Sequence, residues 1–416
     1  MKGNKGNNIA GDIVVALDIG TTKTCAVIGR PDENNMIEIV GVGSAPSTGI
    51  TNGIILNIDD TAASIRKAVE EAEFRSGYHV GSVYVGLSGQ HIKGQASKGV
   101  IAVTNRNRTI TSAEVRRVVD AAQAVVIPMD REILHVLSRE FSVDDQRGIR
   151  DPIGMSGVRL EADVHIITGA SASIQNIIKA VEKSGLRYLG VVFSPLASSD
   201  AIISLDEKDL GVALVDIGGG TTDIIVYSEG GVVYSSVLPV GGLHVTKDIS
   251  AGLMTSLESA EIMKRTFGCA VIDLVDPSDM VDVPSVGGRA PKKLYRQELA
   301  HIIEARMTEI MEMIDHELIK SGKKEFLNAG VVLVGGACMM PGSLEAAEKV
   351  FNIHVKIGEP MDVSGLKDIV ATPQFAHSVG LLKYGNKMNQ LRAKNFYGKK
   401  KSSAFSKIKK LFDDYM

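Results

Sequence analysis

Cysteine is scarce in this 416-residue chain: Cys25, Cys269 and Cys338 are all it has, and no two form a CxxC pair. That spacing excludes a disulfide framework and a thiolate metal site, and it fits a reducing compartment. No apolar run reaches the roughly 18 residues that a membrane-spanning helix needs. The opening MKGNKGNNIAGD lacks the apolar core of a signal peptide, so the expected location is cytoplasmic. Tryptophan is absent, while 44% hydrophobic and 23% charged residues are the proportions of a soluble α/β protein. The length allows about two or three domains. Overall basic charge is missing as well. The net charge is −3, yet residues 392–416 hold eight basic and two acidic side chains, which leaves −9 on the preceding chain. An acidic body argues against nucleic acid as a partner, and a basic end on it points to one localised attraction.

Glycine is where the sequence becomes specific. In VDIGGGTTDIIVY, residues 215–227, an apolar β-branched run stops for three glycines and two threonines and then resumes. Such a run favours a strand, and the glycines interrupt it where the backbone turns or meets something closely. A Gly/Thr loop between two strands offers N–H groups and hydroxyls to an anion. IVVALDIGTTKTCAVIG, residues 13–29, has the same plan: Asp18 corresponds to Asp216, Gly20 to Gly218, and Thr21-Thr22 to Thr221-Thr222. Two such loops imply two related half-domains facing each other, each giving one loop. A third element, VVLVGGACMMPG at 331–342, is a strand running into Gly335-Gly336 and then a helix.

Two opposed loops can hold a polyphosphate from both sides, which makes Gly20, Thr21, Thr22, Gly218, Gly219, Gly220, Thr221 and Thr222 the expected phosphate-binding residues. Asp18 and Asp216, at the strand ends, suit Mg²⁺ held through its waters, because this ion dehydrates reluctantly. The alternative for each aspartate is capping of turn N–H groups. Lys23 can reach a phosphate as a point charge.

These loops resemble those of the actin/Hsp70/sugar-kinase superfamily. By that resemblance DIGTTK is the first phosphate loop, DIGGGTTD the second and GGACMMPG the adenosine loop, with Met339 packing on the adenine. TSLESAEIMKRTFG, residues 255–268, reads as a helix with a Thr255–Glu258 capping box and Gly268 just past its end. It puts Glu261 and Lys264 on one face, three apart; the resemblance assigns them to the ribose and base, and an exposed salt bridge is the alternative. Helices are also expected at 61–75, 111–124 (with a Thr111–Glu114 capping box), 173–183 and 294–321.

Within the superfamily the chain resembles the FtsA family of bacterial cell-division proteins. VGLSGQHI, GIRDPIGMSGVRLEADVHIITG, SPLASSDA, VPSVGGRAPKKLYRQELAHIIEARMTEI and the basic tail carry that resemblance in order along nearly the whole chain. It implies an α/β, actin-like two-lobed ATPase fold with a small α+β insertion and a C-terminal amphipathic helix. The expected partition gives 12–86, 166–205 and 373–391 to the first lobe core and 87–165 to the insertion. The second lobe core takes 206–243 and 330–372, with 244–329 as its outer subdomain, 392–402 as a basic linker and 403–416 as the membrane helix. It further implies ATP and Mg²⁺ as cofactors and actin-like self-assembly on the cytoplasmic face of the inner membrane. The tail of the tubulin-like protein FtsZ would be held at the septum, and later division proteins would dock on the insertion.

The tail supports a membrane role on its own pattern. Phe405, Ile408, Leu411, Phe412 and Tyr415 recur at helical spacing, with Lys407, Lys409 and Lys410 beside the stripe. That suits an interfacial helix on anionic lipid, each basic residue contributing about 1 kcal/mol. The alternative, docking on the protein's own core, is weakened by the polar, basic residues 393–403 that precede it.

Readily hydrolysing superfamily members carry an acidic residue or Gln before a Pro in the segment joining the lobes; here Ser194 precedes Pro195. Serine is a poor base without an activating partner, so slow turnover is expected, with Asp216 and Asp223 the candidates for orienting water. A sugar-kinase reading finds no compact polar sugar pocket: His135, His165, His244, His301, His316, His354 and His377 are scattered and read as core or surface residues. A chaperone reading lacks a peptide-binding domain, and a shape-determining filament does not account for the insertion. The basic run at 287–310 offers Lys293, Arg296 and Arg306 as electrostatic candidates for the FtsZ tail, a solvated helix face being the alternative.

Overall fold

The computed structural model describes residues 13–32, 36–125, 127–285 and 290–398, the last six by backbone alone. Two sheets share one plan. The first runs Arg187–Phe193, Ser82–Leu87, Val14–Ile19, Lys23–Pro31, Ile37–Pro46 and Val363–Gly365. The second runs Gly231–Leu238, Thr222–Ser228, Val212–Ile217, Val331–Val334 and Val355–Ile357. In each, an antiparallel three-strand meander is extended beside its first strand by two parallel strands. The central strands are apolar almost throughout because helices cover both faces.

Helices follow the local signals, with shifts of a few residues. The helix expected at 61–75 is Ile58–Ser76, since Asn57 caps it by accepting from the N–H groups of Asp59 and Asp60. Gly77, at φ +72°, closes it in the left-handed conformation that glycine favours. The long helix begins at Arg296, not 294, because Leu294 lies in the strand Lys292–Tyr295, which pairs with Met280–Val283. Its buried side carries Leu299, Ile303, Ile310, Ile314 and Leu318, while Ile302 is half-buried. The helix Ala376–Gly398 packs on Val14–Ile19, Lys23–Pro31 and the helix Ser194–Ile202. Val363–Gly365, placed by the sequence reading in the second lobe, instead pairs in parallel with Ile37–Ile39 of the first sheet.

The inserted segment forms a four-stranded sheet, Lys93–Ala102, Arg159–Ala170, Arg131–Val143 and Gln146–Ile149, under the helix Ser112–Gln123. The capping box of Thr111 and Glu114 starts that helix as expected. Ile110, Val118, Phe141 and Leu160 belong to a small core of its own. Two buried histidines fasten this sheet to the body. His165 Nε2 lies 2.8 Å from Ser235 Oγ on the second sheet, and His135 Nε2 accepts from Phe193 N at 3.0 Å.

No helix among the described residues is long and apolar enough to cross a membrane. The tail residues Phe405, Lys407, Ile408, Lys409, Lys410, Leu411 and Phe412 lie outside the described residues.

Candidate functional site

The two Gly/Thr loops meet at the mouth of a cleft of about 930 Å³ between the sheets. Their hydrogen bonds set a correspondence that sequence comparison misplaced by two residues. Gly20 N donates to Lys23 O at 3.0 Å, and Gly218 N donates to Thr221 O at 2.9 Å. Lys23 therefore stands where Thr221 stands, and Thr21-Thr22 match Gly219-Gly220, not Thr221-Thr222. Thr24 and Thr222 then correspond, and both are wholly buried, Thr222 donating to Val240 O at 2.8 Å. Thr222 accordingly points away from the cleft, on the opposite face of its strand from Thr221 and Asp223.

That correspondence explains the three glycines. A Cβ on Gly219 would lie 2.6 Å from Thr22 Cγ2, and one on Gly220 would lie 2.6 Å from Thr21 Oγ1. Threonines of one loop occupy the space left bare by glycines of the other. Ser88, at the end of Ser82–Leu87, completes the junction: its hydroxyl lies 2.5 and 2.7 Å from the carboxylate oxygens of Asp223 and 3.0 Å from Thr221 Oγ1. Gly335, at φ +91°, lets the third loop pass Asp216, whose Oδ1 would be 2.4 Å from an added Cβ.

Three carboxyl groups and one imidazole lie beneath these loops. His377 Nδ1 is 3.1 Å from Asp18 Oδ1. Burial works against ionisation of Asp18, but the charge and hydrogen bond of His377 outweigh it, and the carboxyl is held below its usual range. Burial likewise disfavours the charged imidazole, and Asp18 reverses the outcome, so His377 is raised. Asp216 is pushed up to about 6 by burial, with His377 lowering and Asp18 raising it. Burial and then the Asp216 charge take Asp223 up to about 7, against the Ser88 and Thr221 hydrogen bonds. No cluster of three or more direct metal ligands occurs among the described residues. The carboxylates instead suit a hydrated cation, whose charge would relieve the repulsion that burial imposes on them.

The far side of the cleft is lined by Met339, Gly336, Glu261 and Lys264, with Met339 nearly half exposed toward it. All three Lys264 protons are engaged, with Gly242 O at 2.9 Å, Thr246 Oγ1 at 2.8 Å and Glu261 Oε2 at 2.7 Å. Lys264 thus fixes Glu261 and offers no unused donor of its own. The helix carrying them, Leu257–Phe267, is capped by Ser256, which accepts from Ser259 N. Thr255 is not the cap, since its hydroxyl donates to Pro284 O at 2.6 Å, and Gly268 is extended, not left-handed. The other expected site residues, Asp18, Gly20, Thr21, Thr22, Lys23, Asp216, Gly218, Gly219, Gly220, Thr221 and Gly335, also line this cleft. Sequence reading missed Ser88, Thr246, Gln374 and His377, which line it too. A serine, a glutamine or a histidine far from a motif carries no local signal of the kind that a glycine run does.

The basic candidates are not equivalent. Arg306 is held by Asp248, with Nε at 2.5 Å from Oδ2, and by Glu309. Arg296 binds Asp279 at 3.1 Å and Phe267 O at 2.9 Å. Lys293 is exposed on the hairpin opposite Asp282, beside Tyr295, which pairs with Met280; both of these apolar side chains are more than half exposed.

Two sheets of one plan, each delivering a loop to a shared cleft, define an actin-like fold. Solved structures agree: the PilM–PilN type IV pilus biogenesis complex superposes with a TM-score of 0.62 over 90% of this chain and 98% of that one, at 16% identity. MreB5 of Spiroplasma citri, solved with ADP, gives 0.53 over 93% and 98%, at 13% identity. A family model described as "Cell division protein FtsA" matches residues 213–380, and one described as "SHS2 domain inserted in FTSA" matches 89–168. Cell division protein FtsA of Pseudomonas aeruginosa is 43% identical over 90% of both chains, and that of Escherichia coli K12 is 40% identical over 90% of both. The FtsA of Bacillus subtilis is 38% identical over 95% of this chain and 89% of its own. The chain belongs to the FtsA family of cell-division proteins.

Proposed function

We propose that the cleft binds ATP with Mg²⁺, and that the nucleotide governs assembly of an actin-like filament tying the FtsZ ring to the inner face of the cytoplasmic membrane at the septum. The observation that carries the nucleotide reading is the interlocked pair of Gly/Thr loops above buried carboxylates. The MreB5 structures hold ADP and AMPPNP on the same fold, which supports an adenine nucleotide here. Phosphates would lie along the N–H groups of Thr21 to Lys23 and Gly219 to Thr221, with Met339 and Glu261 toward the base and ribose. Asp18 and Asp216 would hold the Mg²⁺ waters, and the ion would supply charge neutralisation for the phosphates. Asp223, fixed by Ser88, is the candidate for orienting water, and turnover stays below roughly 1 s⁻¹ because Ser194 offers no base.

Exposed Met280, Tyr295 and Lys293 share the outer face of one hairpin, a surface suited to an acidic and apolar peptide such as the FtsZ tail. The tail from Phe405 to Phe412, with Lys407, Lys409 and Lys410, would insert into anionic lipid. One short stripe binds marginally, so polymerisation supplies avidity. Later division proteins would dock on the insertion. Electron microscopy on an anionic lipid monolayer with Mg-ATP tests this reading. Filaments are expected with the full chain and none on lipid with a chain ending at Gly398. Absence of filaments at every nucleotide and protein concentration would remove it.

A further inference from the structure

The inserted sheet is joined by the chain to the first lobe at both ends, after Ser82–Leu87 and before the helix Ser171–Lys183. Yet it also packs on the second lobe, with Lys93–Ala102, Arg131–Val143 and Arg159–Ala170 all lying against Gly231–Leu238. The contact is close enough to exclude side chains in places. A Cβ on Gly94 would lie 2.2 Å from Ser235 Oγ, and one on Gly231 would lie 2.8 Å from Arg139 Cγ. His165 and Ser235, bonded at 2.8 Å, are 2% and 5% exposed. Leu137 and Ile167 of the insertion share one buried cluster with Ile225, Tyr227 and Val232 of the second sheet. At the surface Arg150 Nη2 donates to Asp209 Oδ1 at 2.8 Å, on the helix Leu205–Leu210 that leads into that sheet. Ser88, where the insertion begins, reaches Asp223 and Thr221 beside the second phosphate loop. On the first lobe the matching contact is His135 with Phe193 N. The lobes are thus bridged by the insertion as well as by the chain that crosses between them.

We propose that the insertion is a brace across the nucleotide cleft and sets how long a nucleotide stays bound. This rests on the nucleotide reading above. Separating the lobes enough to free a nucleotide held between their loops breaks one of two contacts, the insertion's with Gly231–Leu238 or its contact with Arg187–Phe193. Either separation exposes apolar surface and breaks a buried hydrogen bond. The link runs both ways. A ligand that prefers the insertion lifted off Gly231–Leu238 weakens nucleotide binding, and bound nucleotide weakens that ligand by the same factor.

Arg150→Cys with Asp209→Cys places a pair of exposed thiols across the surface tie, while the natural cysteines Cys25, Cys269 and Cys338 are buried. Joining the pair with a short bismaleimide fixes the insertion to the second lobe, and capping both thiols with N-ethylmaleimide leaves that tie broken. Release of a fluorescent ADP analogue, followed by stopped flow, is expected to be about tenfold slower in the joined protein than in the capped one. Equal rates would overturn the proposal. Hydrogen exchange of the nucleotide-free protein gives a second reading. Amides of residues 18–23 and 218–223 are expected to exchange about tenfold more slowly when the pair is joined, and unchanged exchange there would overturn the brace. If wild-type protein binds no ADP, the nucleotide reading fails by itself, while the exchange measurement still decides whether the insertion holds the lobes together.

Discussion

Gly219 and Gly220 have a use that their own loop does not reveal. Each leaves room for a threonine of the facing loop, so the two loops close on each other by side chain against bare backbone. Gly219→Val is therefore expected to force the loops apart and weaken ADP binding at least about tenfold, since its branches have no space beside Thr22. The double variant with Thr22→Gly should recover most of that loss, and equal losses in the single and double variants would show that the contact is irrelevant. The sequence made the glycine loops legible because glycine is expensive in a strand. It did not show their pairing, since the matching threonines lie about two hundred positions away. Thr222 and His377 failed for related reasons: strand alternation turns the first inward, and only the packing of the last helix on Gly86 gives the second its surroundings.

At the scale of elements, two buried histidines lie where the insertion meets the body. Burial pushes both His135 and His165 down to about 4, from the 6.5 that an exposed imidazole has in the unfolded chain. Between those limits the unfolded state takes up protons that the folded state refuses. Stability is thus fully present above pH 6.5 and falls as pH drops toward 4, by up to about 3 kcal/mol for each histidine. Urea unfolding of His165→Gln should show a shallower fall over this window, and an unchanged slope would count against the linkage. Capping signals located helices well where side chain and backbone are neighbours in sequence, as Thr111 and Glu114 are. They misplaced the start of Leu257–Phe267 because Thr255 is drawn off by Pro284, a contact that no local pattern encodes.

Over the whole molecule, charge is segregated by region. The basic candidates of the outer second lobe reduce to one exposed side chain once Arg296 and Arg306 are seen to hold Asp279 and Asp248. Lys293→Glu is expected to weaken FtsZ-tail binding about tenfold without moving the melting temperature, as measured by fluorescence anisotropy of a tail peptide; undiminished affinity would place the partner elsewhere. Arg296→Glu would be ambiguous, because it also strands Asp279. The two-lobed plan was legible from the loop repeat and the order of the segments. The short strand Val363–Gly365 was not, because three residues carry too little periodicity to declare which sheet they join.

The closing helix has a consequence in time. Val14–Ile19 is made first, yet Ala376–Gly398, the helix that packs on it, is made last among the described elements. At a synthesis rate of roughly 5–20 residues per second, the strand waits on the order of 20 to 70 s for its cover. The second sheet draws all its strands from residues 212–357 and has no such wait. The newborn chain therefore completes its middle before its beginning, and its opening strands need shelter until Ala376–Gly398 leaves the ribosome.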